Sequence, residues 1–323
     1  MNRVTRREFV KASSVLAAAA PAIAAVTANA QPPAGGPPPP PDIGKLRAEK
    51  DIVFGKGGDM DLLLDVYRPP EGVTSKRVAI IHLFGGGFFT GNKGAGYIIN
   101  DAKALGNRGY TSVSANYRLQ SQGKWPAQIH DVKAAIRWTR KNADRLGVDS
   151  NKIVVAGYSA GGMLSLLAAG TNGNAEFEGS NGTPGVSSEV NASIGVYPLA
   201  SADNAKGLWD EGKATPEAIK AASPTSYISK SFAPTIFIHG VNDVTVPLTS
   251  SLDFFGKLNA LGVPSALTAI QGAQHAFDVG ALDAVEVMAQ SIDLFLDRLL
   301  VNPKPYPSFG PPPGGRPGGA GRP

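Results

Sequence analysis

The 323-residue sequence contains no cysteine. Disulfides, thiolate nucleophiles and cysteine-ligated metal sites are therefore excluded. That composition suits an oxidising compartment. Histidine is nearly as scarce, with four residues: His82, His130, His239 and His275. Any chemistry that needs an imidazole must use one of them. No apolar run between residues 42 and 301 is long enough to span a bilayer, so no stable membrane anchor is expected in the mature chain. A basic field is missing too, although the net charge is +5. Residues 1–30 carry +3, from Arg3, Arg6, Arg7 and Lys11 against Glu8. Residues 302–323 carry another +3, from Lys304, Arg316 and Arg322, which leaves the body at −1. Nucleic acid is not an expected partner of such a body.

The ends differ from the middle. Paired Arg6–Arg7, with Phe9 and Lys11 following and an alanine-rich stretch ending at Ala28-Asn29-Ala30, reads as a twin-arginine export signal over residues 1–30. The expected mature chain starts at Gln31 and is periplasmic or secreted. Residues 31–41 are a proline-rich linker with an extended backbone. Residues 302–323 are too rich in proline and glycine to bury a core and are expected to be disordered. Residues 42–301 are enough for one α/β domain.

Within that domain apolar strands alternate with helical patterns. An opening strand pair spans "DIVFG" and "DLLLDVYRP", with "KGGD" as its turn. Buried strands follow at "RVAIIHLF", "YTSVSANY", "KIVVAGY", "VNASIGVYP", "PTIFIHG" and "PSALTAIQG". Helices are expected at "YIINDAKALGNRG", from Pro126 to Gly147, at "AGGMLSLLAAG", at "PLTSSLDFFGKLNALG" and at "ALDAVEVMAQSIDLFLDRLL". Residues 171–189 and 199–230 are less regular excursions. The fold class is α/β, with a mostly parallel central sheet and helices on both faces. Reactive groups in such sheets gather at the carboxyl ends of the strands.

Three of those ends carry suitable side chains. "GYSAGG" puts Ser159 on a strand-to-helix turn, with Gly157 and Gly161 clearing space around it. "IHGVNDVTVP" puts Asp243 just past a strand, and "GAQHAF" puts His275 in a loop before the last helix. A serine nucleophile needs a base and an acid that orients the base, and the chain order Ser…Asp…His matches that need. Asp278 is a rival acid, three residues from His275. His82 reads as a packed core residue, His130 as structural or partly exposed, and His239 as shaping the loop after its strand. The stretch "HLFGGGFF" strips side chains from a strand end. Backbone N–H groups bared in this way can hold an oxyanion. The hole is assigned to the amides of Gly86, Gly87 and Ala160, with Phe88, Phe89 and Tyr158 walling the substrate pocket. No phosphate loop or metal-ligand cluster is visible, so no cofactor and no metal is expected.

These residues together resemble the α/β-hydrolase fold. More narrowly, the chain is similar to the bacterial feruloyl and acetyl esterases related to hormone-sensitive-lipase-like carboxylesterases. The likeness rests on "LDVYRP", the glycine loop, "NYRL", the block from Trp125 to Gly162, "HGVNDVTVP" and "QHAF". It implies Ser159 as nucleophile, His275 as general base and then acid, and Asp243 as orienter. It also implies a small-molecule or carbohydrate ester as substrate and an acyl-enzyme as intermediate. One departure stands out: the family's oxyanion loop reads His-Gly-Gly-Gly, and Phe84 stands where that histidine belongs. Two other readings accompany the esterase: amide or peptide hydrolysis on the same residues, and a non-catalytic binding protein of hydrolase fold.

Overall fold

The computed structural model describes residues 44–209 and 213–305. The leader and linker expected over residues 1–41, and most of the expected tail, lie outside these residues. Eight strands form one sheet in the order β1-β2-β4-β3-β5-β6-β7-β8. β1 (Arg47–Gly57) pairs antiparallel with β2 (Met60–Arg68), and β2 pairs antiparallel with β4 (Thr111–Ala115). From there on every pairing is parallel, through β3 (Ala79–Leu83), β5 (Ile153–Tyr158), β6 (Ala192–Val196), β7 (Thr235–Gly240) and β8 (Ser265–Ile270).

β3 to β7 are buried at each position, so both faces of the sheet are covered. Their β-branched and aliphatic content follows from that double burial. β8 is half-buried except at the exposed Ala269, as an edge strand should be. The covering helices form two groups. Ala127–Lys141 packs with Ala160–Gly170, and Gly96–Gly106 packs with Leu282–Leu296. The parallel register aligns the strand ends. Leu83 pairs with Gly157, Gly157 with Gly195, and Gly195 with Phe237. The loops leaving β3, β5, β6 and β7 therefore emerge side by side, and the site is built there.

Two helices end earlier than the sequence pattern indicates. The pattern from Pro126 to Gly147 splits into Ala127–Lys141 and Ala143–Leu146. Asn142 breaks it by turning its side-chain amide back to the Trp138 carbonyl at 2.8 Å. Such local bonding by asparagine competes with helical geometry. The last helix runs Leu282–Leu296 and widens into a π turn over Asp297–Val301. Among the described residues, the excursion over residues 199–230 contains one α-helix, Pro216–Ala222. Thr215 caps it by accepting from the Ala218 N–H, and Pro216 takes the first position. Among the described residues, no helix is long and apolar enough to cross a membrane.

Ile81, fully buried on β3 between β4 and β5, tests this core. Ile81→Ala should lower unfolding free energy by about 2–5 kcal/mol. Urea denaturation followed by circular dichroism measures it, and a loss below about 1 kcal/mol contradicts the packing described.

Candidate active site

Ser159 stands between β5 and the helix Ala160–Gly170, with φ 53° and ψ −115°. A non-glycine residue held there carries strain of about 1–3 kcal/mol. Neighbouring bonds hold it. Its N–H donates to the Val196 carbonyl at 3.0 Å, and its carbonyl accepts from the Met163 N–H at 3.1 Å. The bend is tight enough to require glycine on both sides. A Cβ on Gly157 would lie 2.0 Å from the Gly161 oxygen, and one on Gly161 would lie 2.1 Å from the Leu83 oxygen.

The structure brings the three remote side chains together. His275 Nε2 lies 2.9 Å from Ser159 Oγ, and His275 Nδ1 lies 2.7 Å from Asp243 Oδ2. The other carboxylate oxygen, Oδ1, accepts from the N–H groups of Thr245 at 2.9 Å and Val246 at 2.8 Å. Asp243 is thus fixed by its own loop, and its side chain is fully buried. An ionised carboxylate can only accept, so the proton of neutral His275 sits on Nδ1. That leaves Nε2 free to accept from the serine hydroxyl. Asp278, the rival acid, instead accepts from the Tyr197 hydroxyl at 2.6 Å.

The remaining histidines have other duties. His82 is buried between the Tyr158 hydroxyl and Ser112 Oγ, each at 3.0 Å. Burial pushes its pKa down to about 3, so it is neutral at ordinary pH. His239 donates from Nε2 to the Val246 carbonyl at 2.8 Å, so Nδ1 accepts from Ser251 at 2.8 Å. Burial lowers its pKa as well. It ties β7 to the loop that carries Asp243. His130 is half-buried on the helix Ala127–Lys141.

The glycine loop lies against Ser159. The N–H groups of Gly86 and Gly87 donate to no protein acceptor among the described residues. Both glycines line a cavity of about 540 Å3 together with Ser159 and His275. Ala160 is the first residue of its helix, where the N–H has no partner within the helix. Gly86 has φ 118°, and a Cβ there would meet the Thr90 oxygen at 2.1 Å. The Gly85 N–H is occupied, because it donates to the Tyr97 hydroxyl at 2.8 Å.

The expected pocket walls need correction. Phe88 is fully buried and packs edge-on to Tyr117 with ring centroids 6.2 Å apart. Its φ of 68° turns the side chain behind the loop rather than over the cavity. Tyr158 is buried beneath Ser159, on His82. Phe89 is 55% exposed and does not line the cavity. The walls come instead from Tyr97, Tyr197, Leu199 and Val246, with Thr90 and Asn204 as polar members. Tyr197 directly follows β6, so the rule that sites gather at strand ends was available to find it. Tyr97 gave no such signal. Among the described residues, no aspartate, glutamate, lysine or arginine side chain lines this cavity. Among the described residues, no cluster of histidine and acidic side chains could hold a metal ion.

The fold and this arrangement define an α/β-hydrolase site with a serine, a histidine and an aspartate in reach of one another. A family model, BD-FAE, matches residues 64–258, and the chain belongs to that family. Among curated proteins it is similar to Esterase LipC of Mycobacterium tuberculosis, 30% identical over 75% of this chain and 64% of that one. The chain thus spans just under two thirds of that relative. Among solved structures it is similar to esterase Est2 of the planctomycete Thermogutta terrifontis with propionate bound. That match has a TM-score of 0.67 and 30% identity, and covers 82% of this chain and 99% of the other. A truncated carbohydrate esterase from gut microbiota matches with a TM-score of 0.67 and 25% identity, over 79% and 98% of the two chains.

If the Gly86 and Gly87 amides receive an oxyanion, Gly86→Ala should slow covalent labelling of Ser159 by an organophosphate roughly a hundredfold. Mass spectrometry follows the labelling, and circular dichroism checks the fold. Labelling at the wild-type rate would move the hole elsewhere.

Proposed function

We propose that the protein is a serine carboxylic ester hydrolase that works through an acyl-enzyme on neutral esters, either short-chain or carbohydrate-linked. Acetyl or feruloyl groups on a carbohydrate are the favoured substrates. The observation that carries this reading is the continuous chain Asp243–His275–Ser159 opening into a cavity beside unpaired N–H donors.

The chemistry follows from the proton positions. Nε2 of His275 takes the Ser159 proton as Oγ bonds to the ester carbon. The carbonyl π pair moves to oxygen, and the N–H groups of Gly86, Gly87 and Ala160 receive the resulting charge. The imidazolium then gives its proton to the departing alcohol as the C–O bond breaks, which leaves the acyl group on Oγ. Water attacks by the same route in reverse. Asp243 keeps the imidazole in the required tautomer and favours its charged form. One donor lost from such a hole costs on the order of 3 kcal/mol of barrier.

Substrate class rests on the cavity and the comparisons. That no aspartate, glutamate, lysine or arginine among the described residues lines the walls favours an uncharged ester, because a charged one would lose hydration without a counter-charge. The propionate-bound Thermogutta esterase supports a short acyl chain, and the gut carbohydrate esterase supports a sugar alcohol. Phe84 in place of the family histidine does not leave the loop unsupported, which weighs against a binding protein with a lost site. The Tyr117 hydroxyl donates to the Phe84 carbonyl at 2.8 Å, and the two rings stack 4.2 Å apart. Export to the periplasm or beyond is part of the proposal and rests on residues 1–30 alone.

A panel of p-nitrophenyl esters of rising chain length, methyl ferulate, an acetylated xylan and an anilide tests the reading. Short esters should be turned over fastest. Ser159→Ala should lower kcat/KM roughly ten-thousandfold or more. Anilide turnover above ester turnover would favour the amidase. Wild-type rates no greater than those of Ser159→Ala would favour the binding protein.

A further inference from the structure

His275 has a second buried neighbour besides Asp243. The Tyr197 ring lies against its imidazole, with centroids 4.7 Å apart at 60°. Tyr197 is held in place unusually firmly. Its φ is 37°, in the left-handed region, and its ring also meets Phe277 edge-on at 5.4 Å. Its hydroxyl donates to Asp278 Oδ1 at 2.6 Å, within the range of a charge-assisted bond. Asp278 is fully buried, three residues from His275 on the same loop, and its Oδ2 has no hydrogen-bond partner. A buried carboxylate with an idle oxygen is costly, and a purely structural brace does not need one.

The groups that face Asp278 are of two kinds. Tyr197 comes from the end of β6, Tyr158 from the end of β5, and Tyr97 from the helix Gly96–Gly106. All three are phenols whose pKa burial raises, so they are neutral. Asp101, also on that helix, is fully buried and faces the Tyr158 hydroxyl. Burial and the nearby Asp278 hold its carboxyl well above the usual range, in the protonated form. Within this set His275 is the one group able to become a cation, and it favours the charged form of Asp278.

We propose that Tyr197 and Asp278 are a positioning pair for His275: ionised Asp278 fixes the Tyr197 hydroxyl, the Tyr197 ring seats the imidazole, and the buried carboxylate favours the imidazolium formed when Ser159 attacks. This rests on the hydrolase reading above. Neither residue gains or loses a proton in the reaction. The proton still passes from Ser159 Oγ to Nε2 and on to the leaving alcohol.

The pair makes activity depend on one more ionisation. Burial pushes the Asp278 carboxyl up to about 6, against the pull of the Tyr197 hydrogen bond. The carboxylate is present above that pH and lost below it. The acid limb of log kcat/KM should therefore fall more steeply than one proton allows.

Full-length protein, with phenyl acetate as substrate, tests this across acid to mildly alkaline pH. Asp278→Asn should lower plateau kcat/KM roughly tenfold to a hundredfold and leave a one-proton acid limb. Tyr197→Phe keeps the ring but removes the bond that favours the carboxylate, so it should move the steep limb to higher pH. Should Asp278→Asn not fold, the Tyr197→Phe shift decides. A carboxyl carbon-13 titration in Ser159→Ala, with the Asp278 signal near pH 6, reads the same ionisation without turnover. Wild-type slope and midpoint in both variants overturn the proposal. No phenyl acetate turnover by the wild type, with the carbon-13 signal still titrating, sinks the hydrolase reading and the proposal's functional part with it.

Discussion

The site depends on one backbone constraint: Ser159 held at φ 53° between β5 and the helix behind it. Everything else is arranged so that this residue can keep a conformation it would otherwise leave. Parallel register brings β3, β6 and their loops flush with the end of β5. The Leu83 and Phe84 oxygens lie so near Gly161 that no side chain fits there. The same closeness puts the glycine loop leaving β3 next to the serine. Ser159 and the Gly86 and Gly87 amides are thus positioned by a single packing event, and strain at one is held by contact with the other.

The two other members reach the serine by different means. Asp243 is locked by two N–H bonds from its own loop, and His239 ties that loop to β7. His275 lies on a loop whose next residue, Ala276, has φ 56°. It is held mainly through side chains: Asp243 on one nitrogen and the Tyr197 ring on one face. Asp243 is thus held by its own loop and His275 mainly by other side chains.

Much of this was legible in the sequence, for a physical reason. Buried strands announce themselves as apolar runs, and Ser159, Asp243 and His275 each follow such a run closely. Their chain order then fixes which residues can meet above the sheet. The course of β3 to β7 was readable on the same grounds. What was not legible was side-chain direction in loops. Phe88 and Phe89 looked like walls because they adjoin the glycines, yet a φ of 68° sends Phe88 into the core. Tyr158 looked like a neighbour of the substrate because it precedes Ser159, yet it is buried on His82. Nor does periodicity report single side-chain bonds, and so it ran the helix from Pro126 through Asn142 unbroken.

The replacement of histidine by Phe84 shows how one loop can be fixed by different chemistry. A histidine braces by hydrogen bonds, whereas phenylalanine offers only its ring. Here that ring stacks nearly flat on Tyr117, at 8°. The polar half of the task passes to two tyrosines: Tyr117 donates to the Phe84 carbonyl, and Tyr97 accepts from the Gly85 N–H. Both bonds use main-chain groups on either side of the same peptide junction, so they fix the plane from which the next amides, Gly86 and Gly87, project. What the loop requires is therefore a set direction for those N–H groups rather than an imidazole. Stacking and two phenols meet that requirement here.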